Sequence, residues 1–193
     1  MVDKKNVFIY VVEDVWEVCM KGIIIKCWGE AVTARFGKEK WGEILENSGY
    51  SKYKIVVASE DMDDAKIEKG FLASSKILGI SFKETVDLFG DYFINTYTQK
   101  LYPQFYRKND TLKKALSDID DYHKKISQIL GGARPPRLTC EWSDENKVTL
   151  HYKSHRNMFN FMLGILRGLC KYYNENPTIK IIGQDKVEIV FQK

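Results

Sequence analysis

The chain has 193 residues with 44% hydrophobic and 29% charged residues, which is the composition of one globular domain rather than of a disordered chain. Its net charge of +4 is spread along the sequence without a dense basic run, so a nucleic-acid-binding function is not expected. No apolar run has the length of a membrane span and no signal-peptide pattern is present, so we expect a cytoplasmic protein without membrane insertion.

The first half of the sequence is predicted to be helical. Two short helices over residues 28–36 and 40–46 are separated by a glycine, and a third over residues 63–78 ends at Gly79. Ser81, with Glu84 three residues later, predicts a capping box and the start of a helix that runs to about Tyr102.

A further helix is predicted from Asp110, a suitable N-cap, to the glycine pair 131–132. Its apolar positions recur on one face and leave a gap that His123 fills, so the imidazole should point inward. A histidine on an apolar face is either a core residue with a hydrogen-bond partner or an axial ligand to haem iron. The helix pattern by itself does not decide between these two roles.

After Pro135 and Pro136 the hydrophobic period changes from helical to alternating. Residues 138–142 and 147–153 predict one hairpin, and residues 178–182 and 186–191 predict a second. A helix over residues 156–174 separates them. Four short strands in hairpins indicate an antiparallel sheet in an α+β domain.

Three hydrogen-bond donors are spaced at alternate positions where the second strand ends. Tyr152 shares the apolar face of its strand, Ser154 is a candidate helix cap, and Arg156 would lie in the first helical turn. Such a set suits a carboxylate or phosphate group. The alternative is an ordinary helix cap beside a surface arginine.

Searches for catalytic motifs give no enzyme signature. The chain has no P-loop, no H-E-x-x-H and no G-x-S-x-G motif, so we expect no enzymatic activity. The acidic residues 60–64 lack the glycine of a calcium loop and are interpreted as a helix N-terminus. The cysteines form no C-x-x-C pair and are expected to be free thiols; they are Cys19, Cys27, Cys140 and Cys170.

Taken together, these motifs resemble one known family. Met20-Lys21-Gly22 is followed by His123, which lies 12 residues before Pro135 and 29 residues before the Tyr152-x-Ser-x-Arg string. This order and spacing resemble the H-NOX (haem nitric oxide/oxygen binding) family, which includes the haem domain of soluble guanylate cyclase. The resemblance implies an H-NOX domain over residues 20–193 and an N-terminal extension over residues 1–19, which is an upstream stretch or an added edge strand.

The resemblance also implies a fold and a set of residue roles. A helical N-terminal part would pack with a C-terminal four-stranded antiparallel sheet, and haem b would be buried between them. His123 would be the axial ligand of the iron, and Pro136 would press on the macrocycle. Tyr152, Ser154 and Arg156 would hold the propionates. The walls of the pocket would be Ile24, Trp28, Phe93, Phe161 and Ile165.

Phe161 stands where oxygen-binding members of the family place a tyrosine, and it has no donor for bound O₂. The resemblance therefore implies a sensor that binds NO (and CO), discriminates against O₂ and signals through breakage of the iron–His123 bond. Its partner would be a separately encoded histidine kinase, cyclic-dinucleotide enzyme or chemotaxis-type effector. The competing hypothesis is a non-haem small-ligand-binding or protein-interaction module on the same fold, which would purify without colour.

Overall fold

The computed structural model of the protein describes residues 19–129 and 133–192, so the expected N-terminal extension lies outside the described residues except for its last position. Helices make up most of the chain up to residue 129, and a four-stranded antiparallel sheet follows. The predicted α+β class, with a helical N-terminal part and a C-terminal sheet, is confirmed.

The N-terminal part starts with a short antiparallel strand pair. The first helix follows the first strand directly and begins earlier than predicted, because the backbone N–H of Gly22 is satisfied by the Glu60 carbonyl at 2.8 Å. Asp63 caps the third helix by accepting a hydrogen bond from the Lys66 backbone N–H at 3.1 Å. No metal-binding cluster of three His, Cys, Asp or Glu side chains occurs among the described residues. The elements are β1 (Cys19–Lys21), α1 (Gly22–Phe36), α2 (Lys38–Asn47), β2 (Asp61–Asp63) and α3 (Asp64–Leu78).

The predicted capping box of the fourth helix is confirmed. The Ser81 hydroxyl accepts from the Glu84 backbone N–H at 3.2 Å, and the Glu84 carboxylate accepts from the Ser81 backbone N–H at 2.8 Å. The single helix expected up to Tyr102 is instead interrupted by a π-helical turn. The Thr98 side chain donates to the Phe93 carbonyl at 2.9 Å and so satisfies an acceptor of this turn. The elements are α4 (Phe82–Tyr92), the π-helical segment (Phe93–Tyr97), α5 (Thr98–Leu101) and α6 (Pro103–Lys108).

The next helix, α7 (Leu112–Ile129), begins later than predicted. Thr111 is its cap, because its hydroxyl accepts from the Lys114 backbone N–H at 3.3 Å. The prediction that Asp110 is the cap is wrong; Asp110 forms an ion pair with the Lys114 side chain at 2.7 Å. The predicted end of this helix at residues 131–132 lies outside the described residues.

Both predicted hairpins are present and join into one sheet in the order β3-β4-β6-β5. In the central strand β4, Val148, Leu150 and Tyr152 alternate with less buried residues and are at most 6% exposed. The strands are β3 (Arg137–Asp144), β4 (Lys147–Lys153), β5 (Thr178–Ile181) and β6 (Lys186–Val190).

The helix between the hairpins, α8 (Phe159–Tyr172), starts later than predicted. Asn157 has a φ of 51°, in the left-handed region, so a right-handed helix cannot run through it from residue 156. Ser154 therefore does not cap the helix. Its hydroxyl accepts from the Arg156 backbone N–H at 3.2 Å and forms a turn ahead of α8.

Helices α4 and α8 approach each other through glycines. A Cβ on Gly90 would lie 2.1 Å from the Gly164 carbonyl oxygen, and one on Gly168 would lie 2.5 Å from the Gly90 carbonyl oxygen. The absence of a side chain at Gly90, Gly164 and Gly168 is therefore what allows the two helix backbones to pack this closely.

Two hydrophobic clusters form the core. One joins the sheet to α8 and the start of α7, and the other lies among α1 to α4. Phe93 and Ile165 pack against both clusters. Cys27 and Cys170 are buried free thiols, and Cys140 is a partly buried one. In the described part of the chain, no helix is long and apolar enough to cross a membrane.

Candidate functional site

A cavity of about 270 Å³ is lined by residues of both hydrophobic clusters. This volume is close to the lower end of the range for ligand sites, roughly 300–1,000 Å³. A second depression, of about 530 Å³ on α6 and α7, opens widely to solvent. Its Lys108 is already paired with Asp118 at 2.7 Å, so the enclosed cavity is the better candidate site.

The apolar face of α7 is buried only over its first turns. Leu112 and Leu116 are at most 3% exposed, whereas Ile119, Tyr122 and Ile126 further along the same face stay partly exposed. These three residues line the cavity. The fold therefore presents an apolar helix face to the cavity, which is the arrangement of a site built for an apolar ligand.

His123 lies in the middle of this α7 face and lines the cavity. Its Nδ1 is 2.8 Å from the Pro136 carbonyl oxygen. Because a carbonyl only accepts, Nδ1 must carry the proton, and Nε2 of the neutral ring keeps its lone pair. Burial lowers the pKa of His123 below its ordinary value of 6.5, partly offset by the bond to Pro136, so the ring is neutral near pH 7.

The three donors predicted at the end of β4 lie together on the cavity wall. Tyr152, Ser154 and Arg156 all line it. The Ser154 hydroxyl oxygen accepts from the backbone N–H of Arg156, so the hydroxyl hydrogen remains available for donation to a ligand. The Arg156 guanidinium donates to the Asp64 carboxylate at 2.8 Å and to the Arg134 carbonyl at 3.1 Å. Arg156 thus ties the loop before α8 to the start of α3 and to the linker before β3.

The wall formed by α1, the π-helical segment and α8 carries no hydrogen-bond donor side chain at the predicted positions. Ile24, Phe93, Phe161 and Ile165 all line the cavity. The Phe161 ring is packed edge-on against Phe71, with ring centroids 4.3 Å apart, so its position is fixed by neighbouring aromatics.

Trp28 does not line the cavity, and its predicted role as a wall residue is corrected. It is 2% exposed and lies behind the wall, with ring centroids 5.2 Å from Phe71 and 6.1 Å from Phe89. Its indole N–H has no hydrogen-bond partner among the described residues. The family resemblance assigned Trp28 to the pocket, but a resemblance in sequence does not separate the cavity wall from the layer behind it.

Comparison with known protein families identifies the fold around this site. The haem-NO-binding (HNOB) family model matches residues 21–181, which is most of the chain. The chain belongs to this family. It is therefore an H-NOX domain, of the haem-based gas-sensor family related to soluble guanylate cyclase, and its cofactor is haem.

The curated relatives of this H-NOX domain are longer proteins. Soluble guanylate cyclase gcy-32 of Caenorhabditis elegans is 23% identical over 157 residues, which are 79% of this chain and 23% of the relative. Soluble guanylate cyclase gcy-34 of the same organism is 23% identical over 171 residues, which are 86% of this chain and 25% of the relative. The chain spans about a quarter of the length of these relatives.

Solved H-NOX structures share the fold. A Cs H-NOX mutant carrying 4-cyano-L-phenylalanine superposes with a TM-score of 0.81 at 24% identity, covering 90% of this chain and 97% of that chain. The oxygen complex of an oxygen-binding H-NOX domain related to soluble guanylate cyclases gives 0.76 at 24% identity, covering 90% and 96%. An H-NOX structure that addresses the molecular mechanism of H-NOX activation gives 0.80 at 24% identity, covering 90% and 97%.

The residues around the cavity fit a haem. A flat apolar macrocycle needs apolar walls, which α7 and α8 supply, and its iron needs one neutral imidazole, which His123 supplies. Its two carboxylates need donors at one end, where Tyr152, Ser154 and Arg156 lie together.

Some residues of the site were not predicted from the sequence. The hydrophobic period of α7 predicts that Ile119 and Ile126 face inward. No local sequence pattern predicts that the other cavity-lining residues Tyr102, Arg134 and Met158 lie there. Their places depend on how separate elements pack, which single-sequence periodicity does not contain.

Proposed function

We propose that this H-NOX domain is a nitric oxide sensor that discriminates against O₂ and signals to a separate effector protein. The observation that carries the proposal is the pairing of His123 with Pro136 inside an apolar cavity whose Phe161 wall has no donor. When bound, haem would supply a ferrous iron that binds the gas, and His123 is the residue that would hold this iron.

The chain holds the imidazole in the required form. The Pro136 carbonyl fixes the Nδ1–H tautomer, and burial keeps the ring neutral, so Nε2 is available as the axial ligand. Tyr152, Ser154 and Arg156 are assigned to the propionates, with Arg156 shared with Asp64 at 2.8 Å. Pro136 is adjacent to this set and is assigned to the contact that distorts the macrocycle.

Discrimination against O₂ follows from the walls. Bound O₂ carries partial negative charge and is stabilised by a hydrogen-bond donor, whereas NO depends on such a donor much less. Phe93 and Phe161 offer none, and the Trp28 N–H lies behind the wall. We therefore assign NO and CO as the gaseous ligands of this domain.

Signalling is assigned to α7, because its cavity-facing half carries His123, the residue that would hold the haem iron. Loss of that hold when a gas binds would let this part of the helix shift relative to the sheet. The shift changes the surface offered to a partner, which we infer is a separately encoded histidine kinase, cyclic-dinucleotide enzyme or chemotaxis-type effector. The role is that of a cytoplasmic sensor rather than of an enzyme.

The test is a His123→Gly variant compared with wild type by absorption spectroscopy of the ferrous protein, alone and with NO, CO and O₂. Wild type should be red, bind NO and CO, and remain unchanged under O₂. His123→Gly should lose haem. Free imidazole should restore haem binding, because the glycine leaves room in the cavity for the missing ring.

His151→Gly is the matched control, since His151 lies on β4 and its ring contacts Glu141 at 3.2 Å instead of the cavity. It should keep its haem. A His123→Gly protein with full haem and an unchanged spectrum would refute the axial assignment. A colourless wild type would favour the competing function, a module that binds a non-haem ligand or a protein.

A further inference from the structure

The start of β3, directly after the Pro136 carbonyl that His123 contacts, is held by a second α7 side chain, Asp120. The Asp120 carboxylate accepts from Arg137 Nε at 2.7 Å, from Arg137 Nη2 at 2.6 Å and from the Leu138 backbone N–H at 3.1 Å. Its side chain is 13% exposed. The Arg137 guanidinium and the other donors hold the pKa of Asp120 well below its ordinary range, so the carboxylate is charged at all working pH values.

Asp120 and His123 are three residues apart and share one face of α7. They bind three consecutive residues where the linker enters β3, because His123 contacts the carbonyl of Pro136, the last linker residue, and Asp120 contacts the first two strand residues, Arg137 and Leu138. The pair of α7 side chains thus fixes this segment at successive points. A shift of this segment along α7 would therefore break the Asp120 contacts as well as the bond between the Pro136 carbonyl and Nδ1.

We propose that Asp120 is a positioning residue for His123: by clamping Arg137 and Leu138, it holds the Pro136 carbonyl against Nδ1 and so fixes which ring nitrogen faces the cofactor. The relevance to haem rests on the proposed function, but the tautomer itself does not. Groups that orient a metal ligand without touching the metal affect affinity roughly 10- to 100-fold.

The matched variants are Asp120→Ala and Asp121→Ala. Asp121 is the next residue of the same helix, its side chain is 67% exposed, and its ion pair is with Lys124 at 2.7 Å on the solvent side. Both variants remove one negative charge that pairs with Lys124, at 3.3 Å from Asp120 and 2.7 Å from Asp121, and place a strong helix former in α7. They differ in the contacts to the start of β3, which only Asp120 makes.

The first measurement is the ¹⁵N NMR signature of the histidine rings in the haem-free full chain. With three histidines in the sequence, the His123 signal is assigned by substitution. Wild type and Asp121→Ala should show His123 as one Nδ1–H tautomer, and Asp120→Ala should show a mixture with the Nε2–H form. The second measurement is haem loss to a scavenger, which we expect to be roughly 10- to 100-fold faster in Asp120→Ala than in Asp121→Ala.

The proposal is overturned if Asp120→Ala keeps a single tautomer and loses haem at the rate of Asp121→Ala, because Asp120 then only ties α7 to β3. If Asp120→Ala does not fold, Arg137→Gln replaces it, since this side chain is about half exposed and the Leu138 contact remains. That variant should give a smaller shift toward the Nε2–H form, and an unchanged tautomer there refutes the clamp. A wild type that takes up no haem refutes the proposed function while the tautomer result still decides this inference.

Discussion

Replacing Gly164 with alanine is expected to force α4 away from α8, the helix that carries much of the cavity wall. A Cβ at this position would lie 2.2 Å from the Val86 carbonyl oxygen and 2.8 Å from its carbonyl carbon. Ordinary contact begins at 3.4 Å, and the obstacle is the backbone of α4 rather than the end of a flexible side chain. Helices α4 and α8 must therefore separate by about 1 Å.

The magnitude follows from two opposing contributions. Inserting a methyl group into a close-packed interface costs about 1–3 kcal/mol, and a rigid backbone contact places Gly164→Ala at the upper end. Alanine is favoured over glycine inside a helix by about 1 kcal/mol, which offsets part of this cost. We expect a net loss of about 2 kcal/mol, which lowers Tm by roughly 4–8 °C in a chain of this size.

The assay is urea unfolding followed by circular dichroism, with Gly42→Ala as the control. Gly42 lies inside α2, and a Cβ there would meet its nearest neighbour, the Lys52 side chain, at 3.4 Å. The control variant should gain up to about 1 kcal/mol from helix propensity alone. The same substitution is thus expected to lower the free energy of unfolding at Gly164 and to raise it at Gly42.

If Gly164→Ala is as stable as wild type or gains stability like Gly42→Ala, then the carbonyl of Val86 does not limit the approach of the helices. The argument from close packing of α4 and α8 would then be wrong. A changed slope of the unfolding curve would instead indicate that the compactness of the native or denatured state has altered.

The remaining predictions concern the cavity wall and the buried imidazole. Phe161→Tyr in the haem-loaded protein should raise the O₂ affinity by roughly 10- to 100-fold, because a hydrogen bond to a charged acceptor is worth about 1.5–3 kcal/mol. Phe161→Leu adds no donor and should leave O₂ binding undetected by absorption spectroscopy. Equal O₂ affinity in the two variants would show that a donor at this position does not decide O₂ binding. The haem-free protein should lose stability as the pH falls below about 6.5, because the pKa of His123 is lowered in the folded state and the unfolded chain therefore binds a proton that the folded protein does not. For one proton, the free energy of unfolding should fall by up to about 1.4 kcal/mol per pH unit. In His123→Gln, urea midpoints measured from about pH 5 to about pH 7 should depend less steeply on pH than in wild type. His155→Gln should reduce the pH dependence by a smaller amount, because the His155 side chain is more than a third exposed.

Local signals predicted much of the fold. The capping box at Ser81 and Glu84 is a contact between residues three apart, so the sequence contains all of it. The alternation of Val148, Leu150 and Tyr152 likewise predicts both the strand and its buried face. The π-helical segment was not predicted, because one extra residue within a helix leaves no clear mark on a hydrophobic period.

The candidate site was predictable as a set of residue types but not as an arrangement. The ion pair between Asp64 and Arg156 joins positions 92 residues apart, and no spacing rule relates them. The start of α8 was misplaced because a left-handed Asn157 is a backbone state that the sequence permits but does not require. The depth of Trp28 behind the wall depends on how α1 packs against α3 and α4, which is a tertiary property.

The half-buried face of α7 makes the cofactor part of the hydrophobic core. Ile119, Tyr122 and Ile126 are only partly buried by the protein itself and would gain further apolar contacts from a bound haem, so part of the driving force for docking this half of the helix would come from the ligand. Folding and cofactor capture are then thermodynamically linked, and the stability of the protein in a cell rises with the supply of haem. A haem-based gas sensor with this arrangement can respond to its gas only in cells that contain enough haem to load it.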